Sequence, residues 1–143
     1  NEDDFREIKP DYSQLELHVA SMLASDDWSG LELPPGANTE QARIRTAIMT
    51  VLEKHGSAHS GGCRVFYTPA AWAVRGEEHG TNSMLIVVHD GGAHAPFFNY
   101  DYEQYGAIEE MRRALQEIGC YTECCTSWYS AVYPVARGCV EPV

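Results

Sequence analysis

The sequence predicts an α+β fold: a single-layer antiparallel or mixed sheet of three to five strands with about three helices packed against it. Three observations carry this expectation. Apolar residues recur at helical spacing in three stretches, each behind a capping residue. Two β-rich runs follow one another with only a hairpin-length turn between them, which favours an antiparallel or mixed arrangement. With 143 residues, 44% hydrophobic and 22% charged, the chain has the size and composition of one ordinary globular domain spanning 1–143.

The elements follow in order. Residues 1–10 form an acidic lead-in ending in Pro10. Asp11 suits an N-cap, Gln14 sits in the capping-box position, and Leu15, Val19, Met22 and Leu23 form one helical stripe. The alternation Leu15-Glu16-Leu17-His18-Val19 also fits a strand; the cap and the longer stripe favour the helix. Asp26, Asp27, Gly30 and Pro34-Pro35 then make a turn region. A second helix begins behind Asn38, with Gln41 three residues on; Ile44, Ala47, Ile48, Val51 and Leu52 share a face, and His55-Gly56 stops it. After a small-residue loop over 57–62, residues 64–74 read as a strand broken or bulged at Pro69. Residues 83–89 are almost continuously apolar, as in a central strand covered on both faces, and Asp90-Gly91-Gly92 ends them. A short returning strand is expected over 96–100. A third helix is expected from Asp101, with Tyr105, Ile108, Met111, Leu115 and Ile118 on one face and Gly119 as its stop. Residues 121–135 read as a final β segment.

Charge narrows the partners. Ten Lys plus Arg against 21 Asp plus Glu give a net charge of −11, without a basic stripe. Phosphate backbones and anionic membrane surfaces would be repelled, so neither nucleic acid nor membrane is an expected partner. The longest aliphatic run, Met84 to Val88, falls far short of the ~20 residues a membrane span needs. Five cysteines, an odd number with no C-x-x-C pair, predict mostly free thiols and a cytoplasmic location.

Four groups of residues are candidates for function. His89 and Asp90, with His94 nearby, lie at the end of the central strand beside a Gly-Gly turn; with Cys124 they would make a Cys-His-Asp catalytic arrangement. His55, His59 and Cys63 follow H-x-x-x-H-x-x-x-C, donors suited to zinc, the one cofactor the sequence suggests. Tyr100, Tyr102 and Tyr105, with Trp128 and Tyr129, supply aromatic area amid acidic residues and suit a protein interface. Finally, Asp11-Tyr12-Ser13-Gln14-Leu15-Glu16-Leu17 resembles the metal-binding motif D-Y-S-Q-I-E-L-R of family A DNA polymerases, and Val88-His89-Asp90 resembles the V-H-D of that family's second metal carboxylate. The resemblance spans about a dozen residues and implies a metal-binding role for Asp11 and Asp90. It departs from the pattern at His18, where the family has Arg, and at Gly91, where it has an acidic residue; the family's nucleotide-binding helix and basic groove have no counterpart.

The reading these features favour is a small acidic binding or regulatory protein, of the inhibitor or immunity type or a homodimer, acting by contact with another protein or with itself. The alternatives are a small hydrolase-like or metal-dependent enzyme using His89, Asp90 and a cysteine, and a small-ligand binder with a pocket between sheet and helices. A pocket at His89 would favour the last two, and an exposed aromatic patch the first.

Overall fold

A computed structural model describes residues 28–60 and 63–135. The first predicted helix, with Asp11, lies outside the described residues, as does Cys139. Among those described, the chain is α+β, with three α-helices and a four-stranded, wholly antiparallel sheet. Helix α1 spans Thr39–Lys54. Strand β1 (Phe66–Tyr67) leads into the short α2 (Pro69–Val74), and β2 spans Leu85–Val88. Two 3₁₀ turns, Ala95–Phe97 and Tyr100–Tyr102, precede α3 (Tyr105–Gln116). A hairpin of β3 (Cys120–Thr126) and β4 (Tyr129–Pro134) closes the domain. The sheet order is β1-β2-β4-β3, so β2 is internal, as its apolar run predicts. None of the described helices is long and apolar enough to cross a membrane.

Helix α1 forms as its sequence dictates. The Asn38 side chain accepts a hydrogen bond from the Gln41 backbone N–H at 2.7 Å, and the Gln41 side chain accepts one from the Asn38 N–H at 2.9 Å, a complete capping box. Ile44, Ile48 and Leu52 are buried against Met111 and Leu115 of α3 and against Leu85, Val87 and Val132 of the sheet. The opposite side of the sheet carries a second core. There Tyr67, Ile86, Tyr129 and Ala131 pack with Trp28 and Trp72. Trp72 stands at its centre, with ring centroids 4.8 Å from Tyr67, 4.8 Å from Tyr129 and 5.8 Å from Trp128. Because strand side chains alternate, Leu85 and Val87 enter one core and Ile86 the other.

Four elements differ from their sequence reading. The strand expected over 64–74 is only two residues long. Pro69 does not break it from within but opens α2, where a missing N–H costs nothing, and Thr68 caps that helix through Ala71 N–H at 3.2 Å. The returning strand at 96–100 is instead 3₁₀, since Pro96 as the second residue of the first turn and the Asn99 side chain accepting from Asp101 N–H both favour turns. Helix α3 starts at Tyr105, later than Asp101, because Glu103 adopts a left-handed backbone (φ 56°) that no helix can include. The final β segment is two strands, joined by a turn at Ser127-Trp128, with β3 bulged at Cys125.

Candidate functional site

Two places concentrate the chemistry. The first is the segment joining β2 to α3. Phe97, Phe98 and Asn99 are buried, and Asn99 donates through Nδ2 to the Ser127 carbonyl at 3.2 Å, pinning the segment to the β3–β4 turn. Immediately beyond this anchor the burial ends. Tyr100, Tyr102 and Tyr105 are 58%, 42% and 60% exposed, and the Tyr100 and Tyr105 rings lie 6.5 Å apart. Asp101, Glu103 and Gln104 between them are exposed as well. Glu103 is the one described non-glycine residue with positive φ, a strained conformation held where the chain turns into α3.

The sequence grouped Trp128 and Tyr129 with these tyrosines; the structure separates them. Tyr129 is 1% exposed and sits in the second core, with Trp128 against it at 4.7 Å between centroids. Tyr129 cannot meet a partner and Trp128 is half-buried, so of the five grouped aromatics only Tyr100, Tyr102 and Tyr105 are exposed. Strand alternation explains the loss, since Tyr129 faces the same side as its neighbour Ala131 two positions on. Tyr105, expected on the core stripe of α3, faces solvent because the helix begins at that residue and packs through Ile108, Met111 and Leu115.

The second place is a cavity of about 400 Å³ between the end of β2 and the loop after α1, lined by His59, Cys63, His89, Asp90 and His94, with Arg64 and Val65. His89 is 2% exposed. Its Nε2 shares a 2.9 Å hydrogen bond with Ser130 Oγ of β4, and its ring stacks on Phe98 at 5.2 Å, leaving Nδ1 buried without a partner. Burial, the largest influence, pushes the His89 pKa down to about 4; the nearby Asp90 carboxylate opposes this weakly. His94 is 4% exposed, rests against the backbone of Ser57 and His59, and has a buried, unpartnered Nε2. Burial lowers its pKa too, so both imidazoles are neutral at pH 7.

The catalytic grouping fares differently from its prediction. His89 and Asp90 share the cavity, but Cys124 is not among the residues that line it; the thiol donates to the Thr126 carbonyl at 3.0 Å. Cys124 pairs across the hairpin with Ser130, and the group that reaches His89 is Ser130. Ser130 is itself 1% exposed and outside the cavity lining, so its hydroxyl orients the ring and is placed to attack nothing. Sequence reasoning missed Ser130 because cross-strand register is not written locally in the chain. Of the zinc trio, His59 and Cys63 line the cavity, but His55 is held elsewhere, with Nε2 2.7 Å from Glu110 Oε1 on α3. Among the described residues no three His, Cys, Asp or Glu side chains converge in a geometry that would hold a metal ion. Of the two carboxylates of the polymerase-like motifs, Asp90 sits in the turn after β2, and Asp11 lies outside the described residues.

Comparison with protein-family models, curated proteins and solved structures finds no match to this chain.

Proposed function

We propose that this is a binding protein that engages a basic protein partner through Tyr100, Tyr102 and Tyr105. The observation that carries the reading is the exposure of three tyrosines within six residues, at 58%, 42% and 60%, next to an anchored and buried Phe97-Phe98-Asn99. Tyrosine combines a large apolar face with a hydroxyl and few rotors, so it anchors interfaces at low entropic cost. Asp101 and Glu103 supply an anionic rim, and the net charge of −11 steers cationic surfaces toward it. The same charge opposes self-association, which favours a different, basic protein over a second copy of this chain.

The test places a photo-crosslinking side chain at position 102 and, as a control, at the exposed Thr50 on α1. Adducts with a basic protein at 102 alone, lost in Tyr100→Ser and Tyr105→Ser, support the reading. Sedimentation at low and high salt tests the homodimer: a dimer that strengthens with screening replaces the basic partner by a second copy. A monomer at both salts that gives no position-specific adduct sinks the proposal.

A further inference from the structure

The tyrosine surface shares its geometry with a place where the fold holds an arginine of its own. Just after α2, the rings of Tyr67 and Trp72 meet at 62° with centroids 4.8 Å apart. The Arg75 guanidinium lies 5.4 Å from the Tyr67 centroid and 4.7 Å from that of Trp72. Its Nη1 donates to Tyr67 Oη at 3.2 Å, and the Glu77 carboxylate stands 3.6 Å from its Nη2. A tilted ring pair and a carboxylate together hold one partly exposed cation. Tyr100 and Tyr105 are likewise tilted, by 44°, with centroids 6.5 Å apart, near enough for one cation to lie within about 6 Å of both. Asp101 and Glu103 are exposed on the same turn. Among the described residues, the arginine–ring contacts fall on Trp28, Phe66, Tyr67 and Trp72, and none on these tyrosines. The arginines of α3, Arg112 and Arg113, are bound to Glu109, each through Nε at 3.1 Å.

Building on the proposal that this turn binds a basic protein, we infer that the partner is recognised through an arginine. Its guanidinium settles against Tyr100 and Tyr105 and pairs with a carboxylate of the turn, Asp101 or Glu103. Arginine suits the place better than lysine, because its flat, weakly hydrated group stacks on rings while its edge still donates to a carboxylate. The turn is fixed before a partner arrives. Asn99 Oδ1 accepts from Asp101 N–H at 2.9 Å, the Asn99 carbonyl from Tyr102 N–H at 3.2 Å, and the Tyr100 carbonyl from Glu103 N–H at 2.9 Å. Such preorganisation lowers the ordering cost of binding. The other exposed pair, Tyr121 and Tyr133, is a poorer host. Its rings stack on one another at 27° and 5.6 Å, and Tyr133 Oη donates to Asn82 Oδ1 at 3.3 Å.

The experiment titrates the full chain with a pair of fluorescein-labelled basic peptides, identical except that every arginine of one is lysine in the other, and follows their anisotropy. The arginine peptide is expected to bind at least about threefold more tightly. That preference should vanish when Tyr100→Leu and Tyr105→Leu are combined, a change that removes the rings and keeps apolar bulk. It should persist in Tyr100→Phe with Tyr105→Phe, and in Tyr121→Leu. If circular dichroism shows the double leucine variant unfolded, Tyr105→Leu alone is used and should at least halve the preference. Asp101→Asn with Glu103→Gln should weaken binding of the arginine peptide. Equal affinities for the peptides overturn the inference. So does a preference that survives the leucine variants or disappears in Tyr121→Leu, and so does arginine binding unchanged by Asp101→Asn with Glu103→Gln. These outcomes bear on the arginine alone; crosslinking at position 102 decides separately whether the turn binds a protein.

Discussion

Trp72 and Tyr102 are both aromatic residues in short helical turns, and their fates are opposite. Trp72 is fully buried at the centre of an aromatic core on one side of the sheet, while Tyr102 is 42% exposed between two other tyrosines. The two environments differ in what stands opposite the ring. Helix α2 follows β1 directly, so Trp72 is carried back over the sheet onto Tyr67 and Tyr129. The tyrosine turn instead follows an anchor, Asn99, and leads away from both cores into α3. Aromatic density alone therefore says nothing about burial; the direction in which the preceding element delivers the chain decides it.

The largest test of this contrast is truncation. Trp72→Ala should cost about 3–5 kcal/mol, the usual price of emptying a large aromatic site, whereas Tyr100→Ala, Tyr102→Ala and Tyr105→Ala should each stay within about 0.5 kcal/mol. Urea unfolding measures both, and a tyrosine variant losing more than about 1.5 kcal/mol would mean that the trio belongs to the fold.

A second test sharpens where the buried side ends. His89, stacked on Phe98, accepts a proton at about 4 in the folded chain against 6.5 when unfolded, so between these values the unfolded state binds more protons. Stability should fall as pH drops from about 6.5 toward 4, with about 3 kcal/mol from His89 and a further share from His94, whose pKa burial also lowers, so His89→Gln should reduce the slope without removing it. Glu109 and Glu110, held below the ordinary carboxylate value of 4.5 by Arg112 and by Lys54, act only at the acid end of this range. A wild-type profile without slope between pH 6.5 and 5 would place His89 in contact with water.

The smallest effect compares the two sides of one strand. Cys125 leans on the aromatic core, where burial raises its thiol pKa, and Cys124 is exposed on the other side of β3. Alkylation at pH 7 should label Cys63 and Cys124 well before Cys125 and the buried Cys120, as mass spectrometry of timed samples would reveal. Equal rates at Cys124 and Cys125 would mean that β3 frays from the sheet.

What was legible in the chain follows the same logic. Helix α1 could be read to the residue because its cap, stripe and stop lie within one stretch of sequence; β2 could be read as a strand because an unbroken apolar run has few other uses, though it is Leu85–Val88 where the run suggests 83–89. The cavity is half legible: His89 and Asp90 follow from their place at a strand end, with His94 close beside them in sequence. That His59 and Cys63 face them, and that Ser130 holds the ring, depends on which strands pair and in what register. Tyr129 was misplaced because alternation in a strand cannot be phased until its partner is known.

The sheet order carries a consequence for the folding reaction. The β3–β4 hairpin joins neighbours in sequence and can zip locally, but the central β2–β4 pairing sets Leu85 against Val132, with both 3₁₀ turns and α3 in the intervening loop. Closing that loop costs chain entropy before either core rewards it, and such non-local pairing slows folding. The hairpin together with α3 is thus expected to form first and to serve as the template onto which β2 docks. Substitutions at Ala131 or Val132 should then slow folding, while those at Tyr67 on the late-joining edge should chiefly hasten unfolding.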